Sequence, residues 1–178
     1  MSRASILSIA SAFVAFAAGI QAQQVTTEEV NGVRNFKRLE TTVACAGATS
    51  AEAMPAIKKM GFASVVNLRL ASEAGADVEG AAAAAKAANL NYVHIPFSFQ
   101  APETAAADRF LAEIAKPANQ PAFIHCGGGG RAATMWFIKR LVVDKWDVER
   151  ASAEATSLGM NNATLKQWAI EYAKSKGM

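Results

Sequence analysis

The chain has 178 residues, with 18 Lys and Arg against 15 Asp and Glu, for a formal net charge of +3. So small an excess, with no Lys/Arg cluster, excludes a nucleic-acid-binding surface built on charge. Beyond the N-terminus no apolar run is long enough to span a bilayer. Two cysteines in a chain of this length cannot form a disulfide scaffold, so Cys45 and Cys126 must be weighed one at a time.

The N-terminus reads as an address. Arg3 supplies a positive n-region, Ile6 to Ala18 is almost wholly apolar, and Ile20-Gln21-Ala22 ends in the small residue that signal peptidase needs. Cleavage is expected between Ala22 and Gln23, leaving 156 residues and a charge of +2. The expected organisation is a signal peptide over 1–22, an extension over 23–35 and one domain over 36–178. The mature protein is then periplasmic or secreted, with no membrane attachment. Such a compartment permits a Cys45–Cys126 disulfide, although Cys45 reads equally well as a small buried hydrophobe.

Phe36 to Ala46 alternates loosely and predicts a first strand, entering the turn Ala46-Gly47-Ala48. Thr49 and Glu52 form a capping-box pair, followed by Met54, Ile57, Lys58 and Met60 on helical spacing up to Gly61. Ala63 to Leu68 is a short β-branched run and predicts a buried strand. Asp77 to Leu90 predicts a helix, and Asn91 to Ile95 the next strand, closed by Pro96. A loop from Phe97 to Pro102 leads into a helix from Glu103 to about Lys116, whose apolar face carries Phe110, Leu111 and Ile114. Ala122 to His125 is a strand, and four glycines follow Cys126. Ala132 to about Asp144 is the most apolar helix; Asp147 to about Leu158 and Asn162 to Lys176 complete the chain, capped by Asp147 and Asn162. Strands alternating with helices imply an α/β fold, a mostly parallel central sheet of four to five strands flanked by helices.

The segment His125-Cys126-Gly127-Gly128-Gly129-Gly130-Arg131 carries the chemistry. Glycines let successive backbone N–H groups point inward, because no Cβ limits φ. Such a nest at a helix N-terminus binds a tetrahedral anion through N–H donors and the helix dipole. The same field favours a thiolate at Cys126, and Arg131 supplies a planar fork for two oxygens of a phosphoryl group. A dinucleotide loop would follow the first strand rather than the last. A zinc site from His125 and Cys126 fails because adjacent strand residues face opposite sides. No metal or cofactor is expected.

These residues resemble the signature loop of cysteine-dependent protein tyrosine and dual-specificity phosphatases. Val65-Val66-Asn67-Leu68-Arg69, with Glu73 beyond, resembles the second-strand motif of that superfamily, and Tyr92-Val93-His94-Ile95-Pro96 the strand entering its general-acid loop. The nearest resemblance is to the bacterial phosphatase-like domain of the β-lactamase hydrolase-like family, whose loop also has four residues between Cys and Arg where ordinary tyrosine phosphatases have five. The resemblance implies a dual-specificity-phosphatase-like fold with Cys126 as nucleophile and Arg131 with Gly127, Gly128, Gly129 and Gly130 as the phosphate cradle. His125 is then a support for the cysteine, without substrate contact. Ala132 stands where those phosphatases usually carry Ser or Thr. The loop from Phe97 to Pro102 contains no Asp, which leaves Glu103 as the candidate general acid and Asp108, a turn into the helix, as the next carboxylate.

Arg69 and Glu73 are spaced as a local ion pair, His94 as a structural histidine, and Trp136, Trp146 and Trp168 as packing residues. The expected function is an exported phosphatase-like hydrolase working through a cysteinyl-phosphate on a phosphorylated or other oxyanionic substrate. The alternatives are a non-catalytic anion-binding pseudo-phosphatase and a thiol enzyme of sulfur transfer.

Overall fold

In the computed structural model, which describes residues 24–178, every parallel strand is four residues long. The strands are β1 (Val25–Thr27), β2 (Lys37–Leu39), β3 (Val43–Ala46), β4 (Ser64–Asn67), β5 (Asn91–His94) and β6 (Ala122–His125). They form one mixed sheet in the order β1-β2-β3-β6-β4-β5. β3, β6, β4 and β5 are parallel, while β1 and β2 add an antiparallel edge.

That edge is where the sheet exceeds its expected size. The single strand expected over Phe36 to Ala46 is a hairpin, broken at Glu40, whose φ of 44° turns the chain. Glu40-Thr41-Thr42 interrupts the apolar residues here, but neither Gly nor Pro marks the turn.

The helices are α1 (Met54–Lys59), α2 (Val78–Ala87), α3 (Thr104–Ile114), α4 (Gly130–Val142), α5 (Val148–Ser157) and α6 (Ala163–Ser175). Asp77, Asp147 and Asn162 cap α2, α5 and α6 by accepting from the N–H groups of Gly80, Arg150 and Leu165. Each cap satisfies an N–H that the helix itself cannot. The expected Thr49 capping box does not form. Thr49 Oγ1 donates to the Gly47 carbonyl at 3.1 Å instead, and a short 3-10 turn, Ala51–Ala53, precedes α1.

The sheet separates two cores. On one side Met54, Ile57, Ala81 and Ala85 of α1 and α2 pack against Ala44, Val65 and Phe123. On the other, α3 to α6 pack against Val43, Cys45, Val66 and Ile124. The period of two along β6 therefore sends Phe123 and Ile124 to opposite layers, and Cys126 lies in the same core as Ile124. The strand order reverses around β6, so its carboxyl end opens a crevice between β3 and β4, the usual ligand position in such sheets. Among the described residues, no helix is long and apolar enough to cross a membrane. The expected signal peptide lies outside the described residues.

Candidate active site

The loop after β6 is fixed from the β3 side of its strand. The Cys126 N–H donates to the Ala46 carbonyl at 3.1 Å, the Ala48 N–H to the Gly127 carbonyl at 3.0 Å, and Asn35 Nδ2 to the Gly128 carbonyl at 3.0 Å. With these carbonyls drawn outward toward β3, the loop N–H groups are left for the interior. Gly129 makes the reversal at φ 105°, a conformation that side chains with a Cβ rarely adopt. Its N–H donates to Cys126 Sγ at 3.1 Å. Among the described residues no acceptor meets the N–H groups of Gly127, Gly128, Gly130 or Arg131. All four residues line a cleft of about 360 Å³ with Cys126 at its floor. Unpaired N–H donors at the start of a thirteen-residue helix are the donor set that can receive an anion.

Arg131 closes the loop through a network. Its Nη1 donates to Glu73 Oε1 at 2.6 Å, to the Phe97 carbonyl at 2.7 Å and to the Leu68 carbonyl at 3.3 Å, and its Nη2 donates to Glu73 Oε2 at 2.9 Å. These bonds leave the Nε–H and one Nη2–H, one edge of the fork, open to an anion. Burial works against the guanidinium's charge, but the Glu73 bonds and the neighbouring Cys126 outweigh it and raise the affinity for its proton. Burial likewise works against the Glu73 carboxylate. Arg131, the Leu70 N–H and Arg69 together overcome it and hold Glu73 down to about 2. Glu73 thus joins two arginines, as Arg69 Nε reaches Oε2 at 3.4 Å while its Nη groups bond the carbonyls of Ala74 and Gly75. The local Arg69–Glu73 pair expected from spacing exists, but the stronger partner is Arg131, 58 positions away.

The remaining candidates divide. Cys45 is fully buried beside β6; burial, with Cys126 and Glu154 nearby, pushes its thiol far up, so it stays protonated. Both cysteines are free. His125 is buried, and neither ring nitrogen has a hydrogen-bond partner among the described residues. Burial, reinforced by Arg69, His94 and Arg131, pushes it down to about 3, so it is neutral and packs near Phe123 with ring centroids 6.1 Å apart. Its support of the loop runs through the backbone, where the Leu68 N–H donates to the His125 carbonyl at 2.9 Å. His94 is structural, its Nε2–H donating to the Arg69 carbonyl at 2.8 Å.

Glu103 stands at the exposed start of α3 and is not among the residues that line the cleft. Asp108 is engaged elsewhere. It accepts from Tyr172 Oη and pairs with Lys176 Nζ, both at 2.6 Å, which ties α3 to α6. Ala132 is wholly buried, so no hydroxyl replaces the usual Ser or Thr beside the thiol at that position.

Sequence reasoning missed the outer walls. Phe99, Asn161, Asn162 and Leu165 complete the cleft. Asn161 stands so close to α4 that a Cβ on Gly130 would lie 2.8 Å from its Oδ1. The one available signal was the pair Asn161-Asn162 before the last helix, of which only the capping role of Asn162 was legible. Trp168 packs on Phe97 with centroids 5.5 Å apart, so it supports the loop that carries Phe99.

The fold is shared with solved phosphatases. A DUF442 protein from Shewanella putrefaciens CN-32, described as a candidate phosphatase, is 18% identical with a TM-score of 0.69, over 84% of this chain and 97% of that one. The core catalytic domain of the PP-IP phosphatase SIW14 from S. cerevisiae, solved with citrate, is 17% identical with a TM-score of 0.65, over 81% and 88%. P. aeruginosa TpbA, solved in complex with pTyr, is 17% identical with a TM-score of 0.63, over 89% and 93%. No curated protein sequence matches the chain. A family profile described as "DSP-PTPase phosphatase fused to NAD+ Kinase" matches residues 17–172. The superfamily expected from the cysteine loop is the one found, while the narrower likeness to the β-lactamase hydrolase-like group gains no support. The chain belongs to this DSP-PTPase family of the cysteine-dependent tyrosine and dual-specificity phosphatases.

Proposed function

We propose that the protein is an exported cysteine-dependent phosphatase that works through a cysteinyl-phosphate. The observation that carries this reading is the convergence, in one cleft, of Cys126 Sγ, four unpaired loop N–H groups and the open edge of Arg131. In the first step the thiolate attacks phosphorus, an S–P bond forms, and the P–O bond breaks with its electron pair on the leaving oxygen. The loop N–H groups and Arg131 hold the three equatorial oxygens, where charge accumulates. Water then attacks phosphorus, the S–P bond breaks, and phosphate and the thiolate are released. Among the described residues no carboxylate lines the cleft, so the leaving oxygen takes its proton from solvent. Export rests on the run Arg3 to Ala22.

Acid quenching during turnover of an aryl phosphate, followed by peptide mass spectrometry, should find one phosphoryl group on Cys126. Turnover with the group on another residue would overturn the mechanism. The missing wall carboxylate also favours a second reading, an anion-binding module without turnover. In that case ligands would protect Cys126 but no phosphate would appear. Thiosulfate and cyanide, assayed in parallel, give thiocyanate only if the loop transfers sulfur.

A further inference from the structure

The peptide unit between Gly128 and Gly129 is held at both of its polar ends. Its N–H donates inward to Cys126 Sγ at 3.1 Å, and its carbonyl accepts outward from Asn35 Nδ2 at 3.0 Å. In a planar trans peptide the N–H and C=O point in opposite directions, so holding one aims the other. Gly128 and Gly129 carry no side chain to restrain the unit, and glycine limits its own backbone least. Asn35, 93 positions before Gly128, is the partner of that carbonyl among the described residues. The direction of the loop N–H that meets the sulfur therefore depends on a side chain far outside the loop.

Asn35 is itself held on both sides. The Arg34 N–H donates to the Ala48 carbonyl at 2.9 Å, and the Gly47 N–H donates to the Arg34 carbonyl at 2.7 Å. Phe36 is buried and stacks on Phe123 of β6, with ring centroids 6.1 Å apart. Asn35 has a φ of 51°, in the left-handed region. Gly, and less often Asn or Asp, visit that region, and of these three only Asn has a side-chain N–H to give. Backbone and hydrogen bond together call for Asn.

A hydrogen bond donated to sulfur favours the thiolate over the thiol. We infer that Asn35 is a positioning residue for the nucleophile: it draws the Gly128 carbonyl outward, aims the Gly129 N–H at Cys126 Sγ, and so raises the share of reactive thiolate. The inference rests on the phosphatase reading of Cys126. The charged and titratable groups around the site are Arg131 on α4, Arg69 and Glu73 after β4, His125 on β6, and Cys45 on β3 with Glu154 of α5 near it. Glu73 and His125 titrate at about 2 and about 3, and Cys45 stays protonated. His94 of β5, near His125, is common to wild type and variants. A change in reactivity near neutrality thus reports Cys126.

Iodoacetamide labelling of Cys126, followed by peptide mass spectrometry from about pH 5 to about pH 10, reads this without substrate. Asn35→Gly keeps the left-handed backbone and removes the donor. Its labelling rate near neutrality should fall roughly fivefold, the scale of one net hydrogen bond. The rate should return to that of wild type in alkali, where any accessible thiol is ionised. Asn35→Asp, similar in size but with acceptors alone, should lose at least as much. A profile unchanged in both variants would overturn the inference. So would a loss equal at every pH, which marks a displaced loop or a blocked cleft. Aryl phosphate assays separate the two readings. A shifted profile in a protein that releases no phosphate keeps the role of Asn35 and defeats the phosphatase reading. Turnover with an unshifted profile defeats the role of Asn35 alone.

Discussion

Arg131 and Glu73 face each other end to end, with Nη1–Oε1 at 2.6 Å and Nη2–Oε2 at 2.9 Å, although 58 positions separate them in the chain. This pairing fixes the plane of the guanidinium and decides which of its edges meets an anion. It also charges the pair on both sides, since the bonds that depress Glu73 are those that favour protonated Arg131. Glu73 is a positioning residue, acting on a ligand only through Arg131.

Glu73→Gln should weaken anion binding without touching the nucleophile. A neutral amide has one acceptor and one donor end, so it cannot accept from both guanidinium nitrogens. Stability should fall by about 1–2 kcal/mol after allowance for partial exposure. Protection of Cys126 by phosphate should fall roughly tenfold, while Glu73→Asp recovers part of it. Unchanged protection would show that the guanidinium holds its orientation through the Phe97 and Leu68 carbonyls alone.

The same pair sets an acid limit. Glu73 titrates near 4.5 when unfolded and at about 2 when folded. Between those values the unfolded chain binds more protons, so acid favours unfolding. The contribution of Glu73 is present above pH 4.5 and is lost as pH falls toward 2. Denaturant melts of wild type and Glu73→Gln should differ near neutrality and converge across that window. His125, titrating near 6.5 unfolded and about 3 folded, adds a loss of the same sign as pH falls, one that Glu73→Gln retains.

Cys126 should react with iodoacetamide at neutral pH, and phosphate, sulfate or vanadate should protect it. Arg131→Lys should weaken protection, because one ammonium cannot present the two-pronged edge of a guanidinium. Cys45 should stay unmodified in the folded protein, since it is fully buried and, unlike Cys126, does not line the cleft. Equal labelling of the two cysteines with no effect of anions would refute the cradle.

Gly129→Ala and Gly130→Ala should fail for different reasons. The first places a Cβ at φ 105° and should cost about 1–2 kcal/mol in stability. The second puts its Cβ 2.8 Å from Asn161 Oδ1, a side chain on an exposed residue that can move. Stability should then change little while the cleft wall shifts and turnover falls. Thermal melts and aryl phosphate kinetics on the two variants separate strain from displacement.

Turnover should follow the leaving group. An activated aryl phosphate should be hydrolysed slowly, and phosphoserine peptides far less, since a missing general acid typically costs about 10²–10⁴-fold. Cys126→Ser should abolish the activity. Glu103→Gln should leave good and poor leaving groups nearly unchanged, given that Glu103 lies outside the cleft lining. A loss confined to poor leaving groups would show that Glu103 swings in as the acid.

N-terminal mass spectrometry of protein from an exporting host should find Gln23 as the first residue. Met1 on membrane-bound material would refute export by cleavage.

The sequence by itself determined the strand, cysteine, glycine run and arginine that open α4, because these are local: consecutive residues whose conformational freedom and charge can be read directly. It also determined the side-chain caps at Asp147 and Asn162, which depend on spacing of a few residues. Tertiary structure alone decided what surrounds the loop. The hairpin at Glu40 turns without a Gly or Pro to mark it, and Thr49 gives its hydroxyl to Gly47 rather than to a helix. The choice of Arg131 over Arg69 as the main partner of Glu73 is made by β4 and β6 lying side by side. The same packing keeps Asp108 on Tyr172 and Lys176 and leaves Glu103 outside the cleft lining. Phe99 and the stretch holding Asn161 and Leu165 are two distant segments that meet only when α4 and α6 pack on the sheet. Neighbours brought together across such separations leave no periodic trace, since the energy that selects them comes from burial and pairing in the folded chain.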